Sequence, residues 1–201
     1  MKTIFNRYIR PAVVLTLLLT ILLGFLYPGV ITGIAQLIFP YQANGSLVRA
    51  SNGQVIGSEL IGQYWTLPQY FHGRPSATVN LNGTPSPYEA DNSSASNLGP
   101  TSATLVKTVQ QRVAELKKEN PNAPTGPVPV DLVTTSGSGL DPDISVAAAL
   151  YQVPRIAQMR GLSQNVVTQL VMNHVTGQFL GIFGEQYVNV LDLNLALNAL
   201  K

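Results

Sequence analysis

The chain has 201 residues, a formal net charge of +2 and only 11% charged residues, less than half the share of about 25% usual in soluble domains. The absence of cysteine excludes disulfides, thiolate metal sites and cysteine nucleophiles. Lys2, Arg7 and Arg10 hold three positive charges ahead of a charge-free stretch, and the remainder carries nine Lys or Arg against ten Asp or Glu without a basic cluster, which argues against a nucleic-acid binder.

From Pro11 to Val48 there is no Asp, Glu, Lys or Arg. The apolar run from Ala12 onward exceeds the roughly 20 residues needed to cross a bilayer as a helix. It is too long for the apolar region of a cleaved signal peptide and shows no small-residue cleavage site. The segments are therefore expected to be a basic cytoplasmic tail at 1–10, a transmembrane anchor at 11–38 and an exported domain at 39–201. Arg7 and Arg10 at the entry, with no charge until Arg49, keep the N-terminus cytoplasmic by the positive-inside bias. Gly24, Gly29 and Gly33 are expected to form a close-packing helix face.

Beyond the anchor, Leu47-Val48 and Val55-Ile56 flank Ser51-Asn52-Gly53, a hairpin signature. Residues 75–100 are dense in Ser, Asn, Gly and Pro and read as a long loop. Leu105, Val109, Val113 and Leu116 then form one apolar stripe, with Thr101 or Ser102 as cap and Asn120-Pro121 as stop. Four prolines at 121–130 make an extended connector. Asp141 as N-cap with Pro142 at the first helical position starts the next helical region. Pro154 predicts a kink or two shorter helices there, ending at Gly161. Ser163 opens a helix to about His174, and a strand at 187–191 precedes a last short helix. The fold class is α+β: one N-terminal transmembrane helix followed by a single exported, periplasmic-side domain.

Candidate chemistry is sparse. His72 lies beside Arg74 and near Ser76, but GRPSA is not a nucleophile elbow, and a turn held by side-chain bonds from His72 and Arg74 explains the group better. Asp141 and Asp143 read as helix-start residues rather than a metal pair. The small residues Ser136, Gly137, Ser138 and Gly139 lead toward the expected helix start, where backbone N–H groups could meet an anion, although the phosphate-loop lysine is missing. A tight turn that lets a partner approach is the commoner use of such a stretch. Arg155 and Arg160 suit ion pairs or partner contacts, and two histidines make a histidine-based zinc site improbable. An exported domain so poor in titratable groups suits binding better than catalysis.

Several blocks also carry a family resemblance: QANGSL at 42–47, IGSELIGQ at 56–63, YFHGRPSA at 70–77, SNLGPT at 96–101, VPVDLVTTSGSGLDPDIS at 128–145, QVPRIAQMRG at 152–161 and VNVLDLNLAL at 188–197. In this order, over nearly the whole chain, they resemble the C subunit of the Kdp potassium-transporting ATPase. The stretch at 80–94 departs from that pattern, as does Gln186-Tyr187, where a Pro-Arg pair is more usual.

The resemblance implies a non-catalytic inner-membrane subunit working with a channel-like A subunit, a P-type B subunit that hydrolyses ATP, a small F subunit and membrane lipid. ATP and K+ are then handled by the complex, with no cofactor bound directly by this chain. It further implies a role in assembly and as a catalytic chaperone raising the ATP affinity of the B subunit, with nucleotide contact sometimes ascribed to the SGSG region and Asp141. The topology argument opposes direct contact, because residues 134–140 should lie outside. Any effect on ATP would be a coupling between sites. His72, Arg74 and Arg155 are expected to be structural or to contact a partner. An anchored exported hydrolase using His72 and Ser76, or a stand-alone surface binding module, remain the alternatives.

Overall fold

The computed structural model describes residues 4–200. The chain forms two compact units, residues 1–47 and 48–201.

The first unit is dominated by helix α1, Phe5–Ile38, whose 34 residues are long and apolar enough to cross a bilayer. At 1.5 Å per residue it extends about 50 Å, against a hydrocarbon core of about 30 Å. Two wider π-type turns interrupt it, at Phe5–Ile9 and Leu22–Leu26. Each ends two positions before a proline, Pro11 or Pro28. A proline ring collides with the carbonyl four residues back, and a widened turn relieves that collision. A four-residue helix α2, Pro40–Ala43, follows, and the Asn44 side chain donates to the Pro40 carbonyl.

The second unit mixes helices with two small sheets. Strands β1 (Leu47–Arg49) and β2 (Val55–Ser58) form the expected hairpin. A stretch without helix or named strand leads to α3, Ala103–Glu119, whose cap Ser102 accepts from the Leu105 N–H. Strand β3, Asp143–Ser145, pairs antiparallel with β4, Tyr187–Asn189. Their register sets Ile144 opposite Val188, and both are buried.

Helices α4 (Val146–Arg160), α5 (Gln164–Asn173) and α6 (Val190–Ala199) build the core around that ladder. Ala148, Ala149, Ile156, Val167, Val171, Leu193 and Leu197 are among its buried members. Gly161 ends α4 in the left-handed conformation (φ 66°) that lacks a Cβ penalty, and Ser163 caps α5.

Three expectations need correction. Asp141 is not a helix N-cap and Pro142 is not a first helical residue; Ser145 caps α4 through the Ala148 N–H. The reason is long-range: Asp143–Ser145 is claimed by pairing with Tyr187–Asn189, so helix formation waits until the ladder ends. The alternative of two shorter helices around Pro154 also fails, since α4 runs unbroken through it. An interior proline costs about 3 kcal/mol, and here burial from Ala148 to Ala157 offsets it. The last strand is shorter than expected, with Val190 and Leu191 already in α6.

Candidate functional site

The segment 67–78 has no regular structure, yet Phe71 is fully buried within the core. Irregular backbone inside a protein must find partners for its polar groups, and two buried amides supply them. Asn194 on α6 accepts from the Phe71 N–H at 2.9 Å and donates to the Phe71 carbonyl at 2.9 Å. Gln152 on α4 does the same for His72, at 2.8 and 3.1 Å. Each amide thus acts as one rung of a sheet that is not there.

Arg155, 5% exposed, binds this frame together. It donates to Asn120 Oδ1 (2.9 Å), Gln152 Oε1 (2.7 Å), the Tyr70 carbonyl (3.1 Å) and the Pro68 carbonyl. Glu119 lies 3.6 Å from Arg155 and 3.2 Å from His72 Nδ1, while His72 Nε2 lies 3.1 Å from the Leu67 carbonyl. Burial, then the neighbouring Arg155 guanidinium, hold His72 below its usual pKa, with Glu119 and the Leu67 carbonyl pulling the other way.

Farther along, the segment grips the 134–141 turn. Arg74 donates to Asp141 Oδ2 at 3.0 Å and to the Thr135 carbonyl at 3.2 Å. Ser76 Oγ donates to the Gly139 carbonyl at 2.7 Å and accepts from the Tyr88 N–H at 3.0 Å. Gly139 sits at φ +70°, and a Cβ there would fall 2.6 Å from the Ser94 carbonyl oxygen. Ser136 is buried and accepts from the Gly139 N–H; Ser138 is exposed and accepts from the Leu140 N–H; Gly137 is exposed with open space around it. Asp141 accepts from the Asp143 N–H, closing an Asx turn. Because a strand follows the turn, Ser136–Gly139 do not open onto a helix N-terminus, and that basis for anion binding is withdrawn.

The sequence-selected residues of the second unit therefore fall into two bonded groups. His72 and Arg155 share Glu119 and Gln152; Arg74 joins the 135–141 turn to the same irregular segment. Sequence reasoning missed Gln152, Asn194, Glu119 and Asn120. A polar residue inside an apolar helical face, as Gln152 and Asn194 are, was the available signal. Gly24, Gly29 and Gly33 lie on α1, where a Cβ at Gly29 or Gly33 would meet nothing within 4 Å and one at Gly24 only Thr20 Cγ2 at 4.0 Å.

Beside these groups lies a cleft of about 480 Å3, lined among others by Trp65, His72, Arg74, Tyr88, Arg112 and Glu119. Trp65 Nε1 and Arg74 Nε are buried there without a hydrogen-bond partner. Arg112 donates to the Val133 carbonyl at 3.1 Å. Trp65 Nε1 and Arg74 Nε are out of the reach of solvent, so the cleft presents neither to a ligand. Nor does it assemble a nucleophile with a base: the Ser76 hydroxyl is bonded to Gly139, and the His72 ring faces Glu119 and Leu67.

The family described as KdpC, K+-transporting ATPase, c chain, matches residues 9–199. A potassium-transporting ATPase KdpC subunit from Rhodopseudomonas palustris (strain BisB18) is 56% identical over 201 residues, covering 97% of this chain and 99% of the relative. Proteins of the same name from Bradyrhizobium diazoefficiens and Methylobacterium nodulans are each 54% identical, over 96% of this chain and 96% and 98% of their own lengths. The chain belongs to the KdpC family, the c chain of K+-transporting ATPases.

Proposed function

We propose that the chain is a non-catalytic subunit of a high-affinity, ATP-driven potassium import complex, anchored in the inner (plasma) membrane by a single span. The likeness to potassium-transporting ATPase KdpC subunits over nearly its full length carries this reading. The polar inventory supports it: the side chains that could serve catalysis are engaged in holding irregular backbone in place. In this reading residues 1–10 are cytoplasmic, 11–38 span the bilayer and 39–201 lie outside, because the cations at the amino end resist translocation. The chain supports assembly with a channel-like A subunit, a P-type B subunit and a small F subunit. It raises the ATP affinity of the B subunit by coupling between sites, since its folded body and the nucleotide lie on opposite sides of the membrane. Gly29 and Gly33, four positions apart on α1, provide the bare strip on which a partner helix packs closely, and Gly24 lies on a different face and serves a second contact.

Deleting the chain should abolish assembled, K+-stimulated ATPase activity, and a fully active complex without it would refute the subunit role. Sidedness needs its own test. Ser136 is buried, so exposed Ser138 is the better probe in a chain without cysteine. Ser138→Cys should react with an impermeant thiol reagent in intact cells. Reaction only after the membrane is breached would reverse the topology and with it the indirect route to ATP.

A further inference from the structure

Residues 176–187 form a hairpin that leaves the folded body. Thr176 and Tyr187 exchange backbone hydrogen bonds at its root (2.8 and 3.2 Å), and Phe179 and Phe183 do so near its tip (2.9 and 3.0 Å). Gln178 Nε2 braces it on the Gly184 carbonyl at 2.8 Å. The tip carries Phe179, Leu180, Ile182 and Phe183 at 62–75% exposure. Other large apolar side chains on the body are exposed singly, as is normal for soluble surfaces; four within five positions are not.

The turn itself is unusual. Leu180 (φ 54°) and Gly181 (φ 72°) open the three-residue loop between the bridged Phe179 and Phe183, and their left-handed φ favours Asn or Gly. A leucine in the left-handed region is strained by about 1–2 kcal/mol. Its side chain, 74% exposed, returns nothing to the core. A strained, solvent-facing leucine implies a role outside the folded body.

Composition favours lipid over a protein partner. From Val175 to Gly184 there is no charged residue, and the four tip side chains contain no hydrogen-bonding atom. Protein interfaces favour Tyr, Trp and Arg and carry about one hydrogen bond per 100–200 Å2; a hydrocarbon boundary requires neither. The tether adds a second argument. Residues 39–47 separate α1 from the second unit, nine residues that reach at most about 30 Å. A tether of that length leaves the lipid boundary within reach of the body's surface.

We propose that the tip of this hairpin, Phe179 to Phe183, inserts into the membrane–water boundary and seats the body on the bilayer. The inference rests on the reading of α1 as a membrane span. With no cation in the tip, insertion is independent of anionic lipid.

The test uses the full chain in phosphatidylcholine vesicles, with single cysteines carrying an environment-sensitive fluorophore at Ile182→Cys, at Leu81→Cys (86% exposed) and at Leu18→Cys within α1. A shallow acyl-chain nitroxide should quench position 182 several-fold more than position 81, while aqueous iodide should quench 182 several-fold less. If 182 behaves like 81 while 18 is quenched from the lipid, the insertion is refuted and the span survives. Water-like behaviour at 18 as well would overturn both. Shielding of 182 that appears only when partner subunits are present, or only at high protein density, would assign the tip to a protein or to a second copy and refute the lipid. Phe179→Asp should return the label at 182 to water, and its failure to do so would count equally against insertion.

Discussion

Phe71 and Phe179 are the same residue under opposite treatment: one is fully buried in irregular chain, the other 72% exposed at the end of a regular hairpin. Around Phe71, two amides and a guanidinium reach across from helices to bond the backbone of Tyr70, Phe71 and His72. Around Phe179 the backbone satisfies itself, strand to strand, and the side chains are left over. The difference shows where this small body is rigid by necessity and where its surface is free to meet something else. Local regularity does not mark the core here; side-chain grip does.

The comparison breaks most severely at Arg155. Arg155→Ala removes donors from two carbonyls, from Gln152 and from Asn120, and leaves Glu119 without its buried cation. Stripping a buried donor from these acceptors costs about 3 kcal/mol in sum, with the partly exposed Glu119 adding little. The second unit should melt at a clearly lower temperature in detergent, and Arg155→Lys should rescue little because an ammonium lacks the planar fork of donors. A near-wild-type melt for the alanine variant would mean that segment 67–78 is held by its apolar side chains alone.

Gly139→Ala tests the other end of that segment. The added methyl must displace the Ser94 carbonyl at 2.6 Å or Thr78 Cγ2 at 2.7 Å, and it meets an unfavourable φ of +70°. A loss of about 2 kcal/mol is expected, whereas Gly137→Ala, with open space around it, should cost far less. Equal effects at the two glycines would show that the turn is not pinned by segment 76–94.

Helix α3 was legible from its stripe, its Ser102 cap and its Asn120 stop, and α5 from Gly161 and Ser163, because those signals act within a few residues. The start of α4 was not. Asp141-Pro142 and Ser145 are both competent openings, and the choice between them is made by a strand that comes much later in the chain. The candidate site was half legible for the same reason. His72, Arg74 and Arg155 stood out as titratable residues in a chain poor in them. Gln152 and Asn194 act on backbone 80 and 123 positions away, and no local pattern encodes that reach.

Acidification should separate the hairpin root from the irregular segment. Asp143, in the strand that pairs with the hairpin's outgoing arm, has its pKa raised from 3.8 to about 6 by burial first and by Asp141 second. Its folded form binds a proton more readily than its unfolded form, so its carboxylate destabilises above about pH 6, and the effect fades as pH falls toward 4. Asp143→Asn should therefore stabilise the body at pH 7–8 by about 1 kcal/mol, discounted for its half-exposed position, and change little at pH 4. His72 has the opposite sign: its lowered pKa gives stability that is present above 6.5 and lost as pH falls through the folded value. His72→Gln should flatten that acid-side decline. Unfolding midpoints from pH 4 to 8 for both variants would expose either sign as wrong.

The smallest effect is expected at the hairpin tip, where four exposed apolar side chains of the body fall within five positions. Phe179→Ser with Phe183→Ser should shift the stability of the body by no more than about 0.5 kcal/mol, since neither ring packs into it. Replacing Leu180 by Asn or Gly should raise stability slightly, because either fits the left-handed turn position better. Such a gain would show that leucine at this position costs the fold stability, as expected of a side chain that acts beyond the body. A drop of several kcal/mol in the serine variant would instead mean that the tip folds back onto the body, and the contrast between the two phenylalanines would disappear.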